Sequence, residues 1–595
     1  MMMKCTPHVK RDPAFALPLL LILLLAAVGT EVFSQNGREH RMVLDSRIMA
    51  FLQLSMETEG IQGLSVGFMG PGGRQWAAGL GYADVASETP ASQYTVYPVA
   101  SLTKTITNIA VMQMVERGKL QLDDPVSDHL PGFQLPSRFS GKGEITIRHL
   151  LAHYGGVPRD LYKGLMTKDP SLRPELIDYL AEQYAAYPPG VKYLYSNLGY
   201  ELIGQVIESL AGMPYETYVK SGVLEPMGMN HSFFCREAWT DETIASAYIR
   251  GDDEAYSEWP GQLSASGGLC STARDMTSLL NWVLNKGQVP PLAGDTMVSM
   301  MLSDQKGEES LDIGLITGWS WVMEEHPHPM EGLYAYQIGS TLHYNAVMAV
   351  APSHGTGVVL LTNTGGVLAA LEDMARLIVQ LAVQDQTAES FPTHSSPELP
   401  PRTVPGAGDM EQVAGHYLLQ NELISLSVHK DELLMRTGDR YYETAFHTDG
   451  WFSTNEHFRF SSRSWGDRKV LMVERGGRVF PAGIDISDRY VLPDNVFELL
   501  GTYCLEGVDP AEEEVIYGEA RLLLDGSLLQ LTLVLSDHQQ KVFGYDEASF
   551  YLVPEARGEL VIAGFGMYKG ETVFYGQKDG TPFLSFAGLR FLRCQ

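Results

Sequence analysis

From Ser101 to Arg117 the chain spreads apolar side chains around a helical wheel: Ile106, Ile109, Ala110, Val111, Met112, Met114 and Val115. A helix that is apolar nearly all round belongs in a domain interior, so the pattern predicts a buried helix over 101–117. Upstream, Leu64-Ser-Val-Gly-Phe68 and Trp76-Ala-Ala-Gly-Leu-Gly-Tyr82 flank Gly70-Pro-Gly-Gly73, which predicts a hairpin. Further helical periods fall at 197–212 and 272–285, and strand runs at Tyr334–Gly339 and Gly357–Thr362. Elements in this order fit an α+β fold, an antiparallel sheet with helices grouped around it.

The pattern then changes twice. Residues 384–409 lose all periodicity, and Thr393-His-Ser-Ser-Pro-Glu-Leu-Pro-Pro-Arg-Thr-Val-Pro405 predicts an extended linker. Few contacts should cross such a segment, so the part before it is expected to fold and work alone. After it the chain reads as β throughout. Ile424-Ser-Leu-Ser-Val428 alternates at period two, and Gly415-His-Tyr417 returns as Gly501-Thr-Tyr503. Leu433-Leu-Met-Arg436 and Leu528-Leu-Gln-Leu-Thr-Leu533 hold similar later places. Two small all-β, barrel-like modules are expected, 410–490 and 491–595. A chance Gly-x-Tyr pair is the other reading of the repeat.

With 595 residues the chain exceeds a single core and should divide into roughly two to four domains. A formal charge of −29 argues against nucleic acid or anionic membrane as partner. Lys4, Lys10 and Arg11 precede an apolar run from Ala14 to Val28, and Val32-Phe-Ser34 follows. This reads as a signal peptide over 1–34, cleaved after Ser34, and predicts a secreted or periplasmic protein. The run of about 15 residues is shorter than the ~20 that span a bilayer. No stable membrane insertion is expected after cleavage; an uncleaved anchor is the alternative. Cleavage leaves Cys235, Cys270, Cys504 and Cys594, spaced too widely for a zinc motif. Their places along the chain suggest Cys235 with Cys270 and Cys504 with Cys594, free thiols being the alternative.

Candidate chemistry begins at the buried helix. Ser101 stands at its start and Lys104 three residues on, on the same face. A serine hydroxyl needs such a neighbour to become a nucleophile, and a helix N-terminus favours developing negative charge. The second Ser-x-x-Lys, Ser303 to Lys306, sits in a polar run and reads as a solvated loop. Tyr195 and Asn197 lie two apart before another apolar helix, where a phenol and a carboxamide can face one cleft. His149 and His153 stand four apart but lack a third ligand, and no glycine loop for phosphate is present. No metal and no cofactor are expected.

Taken in order, Ser101-x-x-Lys104 and Tyr195-x-Asn197 resemble the serine β-lactamase and penicillin-binding-protein superfamily, in its class C-like branch. Flanking text agrees: Gly81-Tyr-Ala-Asp84, Leu120-Gln-Leu-Asp-Asp-Pro-Val126, Ile145 to His153, Leu224-Glu-Pro-Met-Gly-Met229 and Gly267 to Asp275. The resemblance covers about 45–385 and implies a catalytic domain over 41–385, with 386–409 as linker. It implies acyl transfer: Ser101 attacks a carbonyl, Lys104 and Tyr195 share its proton, Tyr195 activates the deacylating water, and Asn197 positions a substrate amide.

The third family motif, Lys-Thr-Gly or His-x-Gly, aligns with Gln337-Ile338-Gly339-Ser340. Gln337 is expected to face the cleft as a substrate-binding residue, with Gly339 leaving room for substrate. The backbone N–H groups of Ser340 and Ser101 would form an oxyanion hole. The slot could instead hold Ser340-Thr341-Leu342. A neutral amide there should weaken carboxylate recognition. Tyr154-Gly155-Gly156 is a second departure, since relatives usually place serine before the second glycine. The leading expectation is a serine hydrolase acting on an ester, amide or peptide, from cell-wall peptides to β-lactams. The alternatives are a catalytically weak protein that binds or senses a cell-wall fragment, and a polysaccharide-binding role for the β modules.

Overall fold

The computed structural model describes residues 37–595 except 140–142, 166–172, 238–243, 257, 259–260, 288–291, 293, 309, 313–314, 327–331, 388–398, 420–421, 439, 456–457, 466–467, 476–477, 486–495, 507–516, 526–527, 537–547, 557–558, 563–570, 588 and 595. The expected signal peptide and residues 388–398 of the expected linker lie outside the described residues. Among the described residues no helix is long and apolar enough to cross a membrane.

An antiparallel sheet forms the framework. Its strands are β1 (Gly63–Gly70), β2 (Arg74–Asp84), β3 (Thr89–Pro90), β4 (Ile316–Thr317), β5 (Val322–His326), β6 (Gly332–Ser340), β7 (Asn345–Ala351) and β8 (Thr356–Thr362), in the order β3-β2-β1-β8-β7-β6-β5-β4. β1 and β2 pair across Gly70-Pro-Gly-Gly73, where the turn residues placed the hairpin. Every residue of β1, β7 and β8 is buried, so both faces of the centre are covered.

The predicted helices form as α1 (Thr103–Glu116), α2 (Asn197–Ala211) and α3 (Ala273–Leu284), and α4 (Leu368–Thr387) joins them. α3 packs on β1 and β8, and α4 on β7 and β8. The buried stretch of α1 runs from Thr103 to Met114, matching its all-round apolar pattern. Its polar side chains find partners inside: Thr107 Oγ1 donates to Ala265 O at 2.6 Å, and Asn108 Nδ2 to Trp319 O at 2.9 Å. A small sheet beside α1 pairs Val96–Pro98 and Phe233–Phe234 with Leu269–Thr272. A disulfide between Cys235 and Cys270 fastens it.

Two all-β modules follow. In the first, sheets of six and four strands share one core around Tyr417, Phe452 and Phe460. In the second, eight strands from Gly501–Leu505 to Leu589–Arg593 close into a barrel, and Cys504 is bonded to Cys594. The Gly-x-Tyr repeat has a structural meaning in both. Tyr417 Oη donates to Val413 O at 2.9 Å, and Tyr503 Oη to Leu499 O at 2.5 Å. Each tyrosine ties the first strand of its module to the short helix before it.

The expectation that few contacts join these modules to the rest is corrected by the packing. Tyr162 belongs to the barrel's core cluster, and its N–H donates to Ala587 O at 2.9 Å. Arg138 Nη2 donates to Glu559 Oε2 and to Thr572 Oγ1, both at 2.9 Å. Val470 and Met472 of the first module pack with Tyr187, Val191 and Leu194. A polar, aperiodic linker reports nothing about such docking, because the docked surfaces lie far from it in sequence.

Candidate active site

Tyr97-Pro98 ends a strand, and a 3₁₀ turn over Ala100–Leu102 leads directly into α1. Ala100 holds a left-handed φ of 45°, a conformation that costs a side-chain-bearing residue on the order of 1–3 kcal/mol. Thr103 locks the turn: its hydroxyl donates to Ala100 O at 2.6 Å and accepts from Leu269 N at 3.1 Å. The result leaves Ser101 half-buried at the mouth of the helix while Lys104 is fully buried behind it.

Lys104 Nζ donates to Ser266 O at 2.7 Å, Asn197 Oδ1 at 2.8 Å and Ser101 Oγ at 3.2 Å, and the Tyr195 hydroxyl is hydrogen-bonded to it as well. A carbonyl and an amide oxygen can only accept, so they take two N–H bonds. A neutral amine has two such donors and one lone pair. A protonated amine would donate to all three oxygens, whereas a neutral one would turn its lone pair to the serine hydroxyl, the arrangement a general base requires. Burial pushes the Lys104 amine below the ordinary lysine range, opposed by Tyr195 and assisted by Arg159.

Tyr195 Oη donates to Ser101 Oγ at 2.7 Å. Lys104 Nζ lies 4.7 Å from the centre of its ring. The ring is set by His153, 4.4 Å away between centroids. His153 Nδ1 accepts the Ser196 N–H at 3.1 Å, which leaves its proton on Nε2, 2.9 Å from Ser320 Oγ. Burial, then Lys104 and Arg159, hold this imidazole well below its usual pKa, so it stays neutral. His149 is engaged separately, its Nδ1 accepting the Thr146 N–H at 3.2 Å. His149 thus closes the start of its helix, while His153 braces the segment that carries Tyr195.

Asn197 opens α2, with Ser196 as its N-cap. Its amide orientation is settled by its partners. Oδ1 accepts from Lys104, and Nδ2 donates to Asp160 Oδ1 at 2.6 Å. Asp160 in turn pairs with Arg159 Nε at 3.0 Å, and the Arg159 guanidinium lies 4.9 Å from the Tyr195 ring.

On the third motif the structure differs from expectation in what surrounds each residue. Gln337 is 3% exposed and lies against the base of α1 rather than facing open space. Its Oε1 accepts from Thr105 Oγ1 at 2.5 Å, and its Nε2 donates to Ser101 O at 3.1 Å. At Gly339 a Cβ would stand 2.2 Å from Val99 O and 3.3 Å from Ser101 N, so the entry turn of α1 itself requires glycine there. Alternation put both on one face of β6, as expected, but α1 and its entry turn occupy that face. Ser340 is exposed, and its Oγ accepts from Asn345 Nδ2 at 2.9 Å. At Gly156, φ is 65° and a Cβ would fall 2.0 Å from Tyr187 O, so the second glycine of that departing motif is required.

The structure thus gathers Ser101, Lys104, Tyr195 and Asn197 within hydrogen-bond reach and brings Gln337 and Gly339 against the same turn. Sequence reasoning missed Asp160, Ser266 and the positioning role of His153. Asp160 stands in Gly156-Val-Pro-Arg-Asp160, four residues beyond the quoted glycines, with no period or spacing to single it out.

Residues 48–383, more than half of the chain, match the family model described as Beta-lactamase. The chain belongs to the β-lactamase family. Among its relatives is Protein flp of Staphylococcus aureus (strain NCTC 8325 / PS 47), 26% identical over 327 residues, which make up 53% of this chain and 62% of flp. The match therefore spans less than two thirds of that relative's length. N-acetylmuramyl-L-alanine amidase of Bacillus subtilis (strain 168) is 28% identical over 314 residues, covering 45% of this chain and 68% of the amidase. The crystal structure of SurE matches 74% of this chain and all of its own, with a TM-score of 0.54 at 21% identity, a likeness of fold. The β-lactamase-family fold, an antiparallel sheet with flanking helices followed by β modules, agrees with the sequence reading.

Proposed function

We propose that this member of the β-lactamase family is a serine hydrolase that cleaves an ester, amide or peptide through an acyl-enzyme on Ser101. The observation that carries the proposal is the coordination of Lys104: two obligate acceptors and one serine hydroxyl around a buried amine. In the first step the Ser101 proton passes to the Lys104 lone pair while Oγ bonds to the substrate carbonyl carbon. The resulting oxyanion is placed at the backbone N–H groups of Ser101 and Ser340. The carbon–leaving-group bond then breaks: Tyr195 gives its proton to the leaving group and is reprotonated by Lys104, which returns to the neutral amine. Water attacks the acyl carbon and gives its proton to Tyr195 as the tyrosine's own proton passes to Lys104; the carbon–Oγ bond then breaks, the proton returns from Lys104 through Tyr195 to Ser101 Oγ, and the acid product leaves.

Residues 41–385 are the proposed catalytic domain, with 410–490 and 491–595 as modules docked on it. The substrate class follows from Gln337. It stands where the family motif has lysine or histidine, its amide carries no charge, and its two ends are taken by Thr105 and Ser101, so a substrate carboxylate finds no cation there and neutral acyl groups are favoured. Small esters and uncharged peptides or amides are the first candidates, and the amidase relative makes cell-wall fragments worth including. Two disulfides fit a secreted or periplasmic location. The same engaged Gln337 favours, as second reading, a cleft that binds cell-wall fragments with slow turnover.

Screening the mature chain against p-nitrophenyl esters, D-amino-acid anilides and a chromogenic cephalosporin tests the proposal. Turnover of at least one, absent in Ser101→Ala, is expected. Turnover that survives in Ser101→Ala would mean the chemistry lies elsewhere, and saturable binding without turnover would favour the second reading.

A further inference from the structure

We propose that Glu571, carried by the C-terminal barrel, is a positioning residue for the Ser101 site, an inference that rests on the hydrolase reading above. Glu571 stands at the start of the barrel strand Thr572–Lys578 and is 4% exposed. Its Oε1 accepts the backbone N–H of Arg159 at 2.8 Å, across 412 residues of chain. The other side of the same residue reaches the site: Arg159 O accepts the N–H of Asn197 at 2.9 Å and that of Leu198 at 3.3 Å. The next residue, Asp160, holds Asn197 Nδ2 at 2.6 Å.

The Arg159–Asp160 turn therefore grips Asn197 by backbone and side chain together, and Glu571 grips the turn. Asn197 must keep Oδ1 toward Lys104 if the amine's second donor is to stay engaged and its lone pair is to face Ser101. An amide released from Asp160 can rotate and present N–H to the amine, which has no acceptor to spare for it. A buried N–H stripped of its acceptor is costly, so the turn would move to regain one. Burial pushes the Glu571 carboxyl up to about 8, which leaves it protonated at neutral pH. A protonated carboxyl accepts through its carbonyl oxygen, as a glutamine amide does. Glutamine is therefore the conservative replacement and alanine the disruptive one. The carboxyl faces Arg159, Asp160 and Tyr179 across the interface.

The test uses the full chain with Glu571→Ala, Glu571→Gln and, as docking control, Glu559→Gln, which removes the Arg138 ion pair of the same interface. Two readouts are taken: the second-order rate of Ser101 labelling by a fluorophosphonate, and hydrogen exchange of peptides covering 154–165 and 193–200. Glu571→Ala is expected to slow labelling about tenfold and to raise exchange in both peptides. Glu571→Gln should restore both at pH 7, and Glu559→Gln should leave labelling within about twofold of the parent. Unchanged exchange in Glu571→Ala overturns the proposal whatever the labelling shows. Faster exchange with unchanged labelling overturns it too, as does Glu559→Gln slowing labelling as much as Glu571→Ala. If Glu571→Ala fails to fold, Glu571→Asp, one methylene too short to reach the N–H, takes its place with the same outcomes. Should the parent chain itself resist labelling, the hydrolase reading fails, while coupled exchange at 154–165 and 193–200 still upholds the positioning link.

Discussion

Replacing Lys104 with methionine removes the amine while filling a similar volume. The lost group is the amine that lies 3.2 Å from Ser101 Oγ and that the proposal makes the general base. Loss of a positioned general base costs about 10²- to 10⁴-fold in rate, or ~2.7–5.5 kcal/mol of barrier. The substitution also leaves Ser266 O and Asn197 Oδ1 without their donor. Each unpaired buried acceptor costs about 1–3 kcal/mol, partly offset because a buried amine is no longer held out of water. Lys104→Met should therefore stay folded, and its melting curve is recorded alongside the rate. The assay is fluorophosphonate labelling of Ser101 as a function of pH. Activity needs the unprotonated amine, so the parent rate should climb with pH through the Lys104 pKa. Burial lowers that pKa, so the climb falls below the ~10.4 of a free lysine. Lys104→Arg keeps donors but never becomes neutral, and the climb should vanish with the rate. A folded Lys104→Met that labels within about threefold of the parent, or a Lys104→Arg with the parent's pH profile, would refute the base assignment.

Three further outcomes follow from the same geometry. Gly339→Ala must drive β6 away from Val99 O, since its Cβ would stand 2.2 Å from it; labelling of Ser101 should be nearly abolished while circular dichroism shows an intact fold. Gln337→Lys should raise the ratio of kcat/KM for anionic over neutral substrates, about tenfold for each ~1.4 kcal/mol recovered, and an unmoved ratio in a mutant that labels normally would place recognition elsewhere. The Glu571 carboxyl, raised from 4.5 to about 8, makes the parent lose stability as pH rises between those values, because the unfolded chain releases its proton first. Glu571→Gln should flatten that part of the stability curve in urea titrations across pH, and an unaltered slope would contradict the buried carboxyl.

Elements with a local cause could be read directly. The all-round apolar run made α1, the turn residues around Gly70–Gly73 made the hairpin, and the faint Gly-x-Tyr repeat marked the first strand of each β module. Ser101, Lys104, Tyr195 and Asn197 could be singled out because each pair stands at a short spacing beside an apolar helix and the ordered set resembles a family's motifs. What escaped depends on distant pairing. Alternation put Gln337 and Gly339 on one face of β6 but cannot say that α1 rather than open cleft lies against it. Asp160 and Glu571 are ordinary acidic residues in sequence, and only folding brings one to Asn197 and the other to Arg159. A proline-rich linker suggested independence, yet three hydrogen bonds, through Arg159 and Asn197, lead from the barrel's Glu571 to Lys104.

The most direct measurement is the identity of the residue that carries the acyl or phosphonyl group. The purified full chain is treated with a fluorophosphonate, digested, and mapped by mass spectrometry. A single adduct on Ser101, absent from Ser101→Ala and slowed by Lys104→Met, is the expected result. An adduct on another residue, or one that persists in Ser101→Ala, would contradict the account.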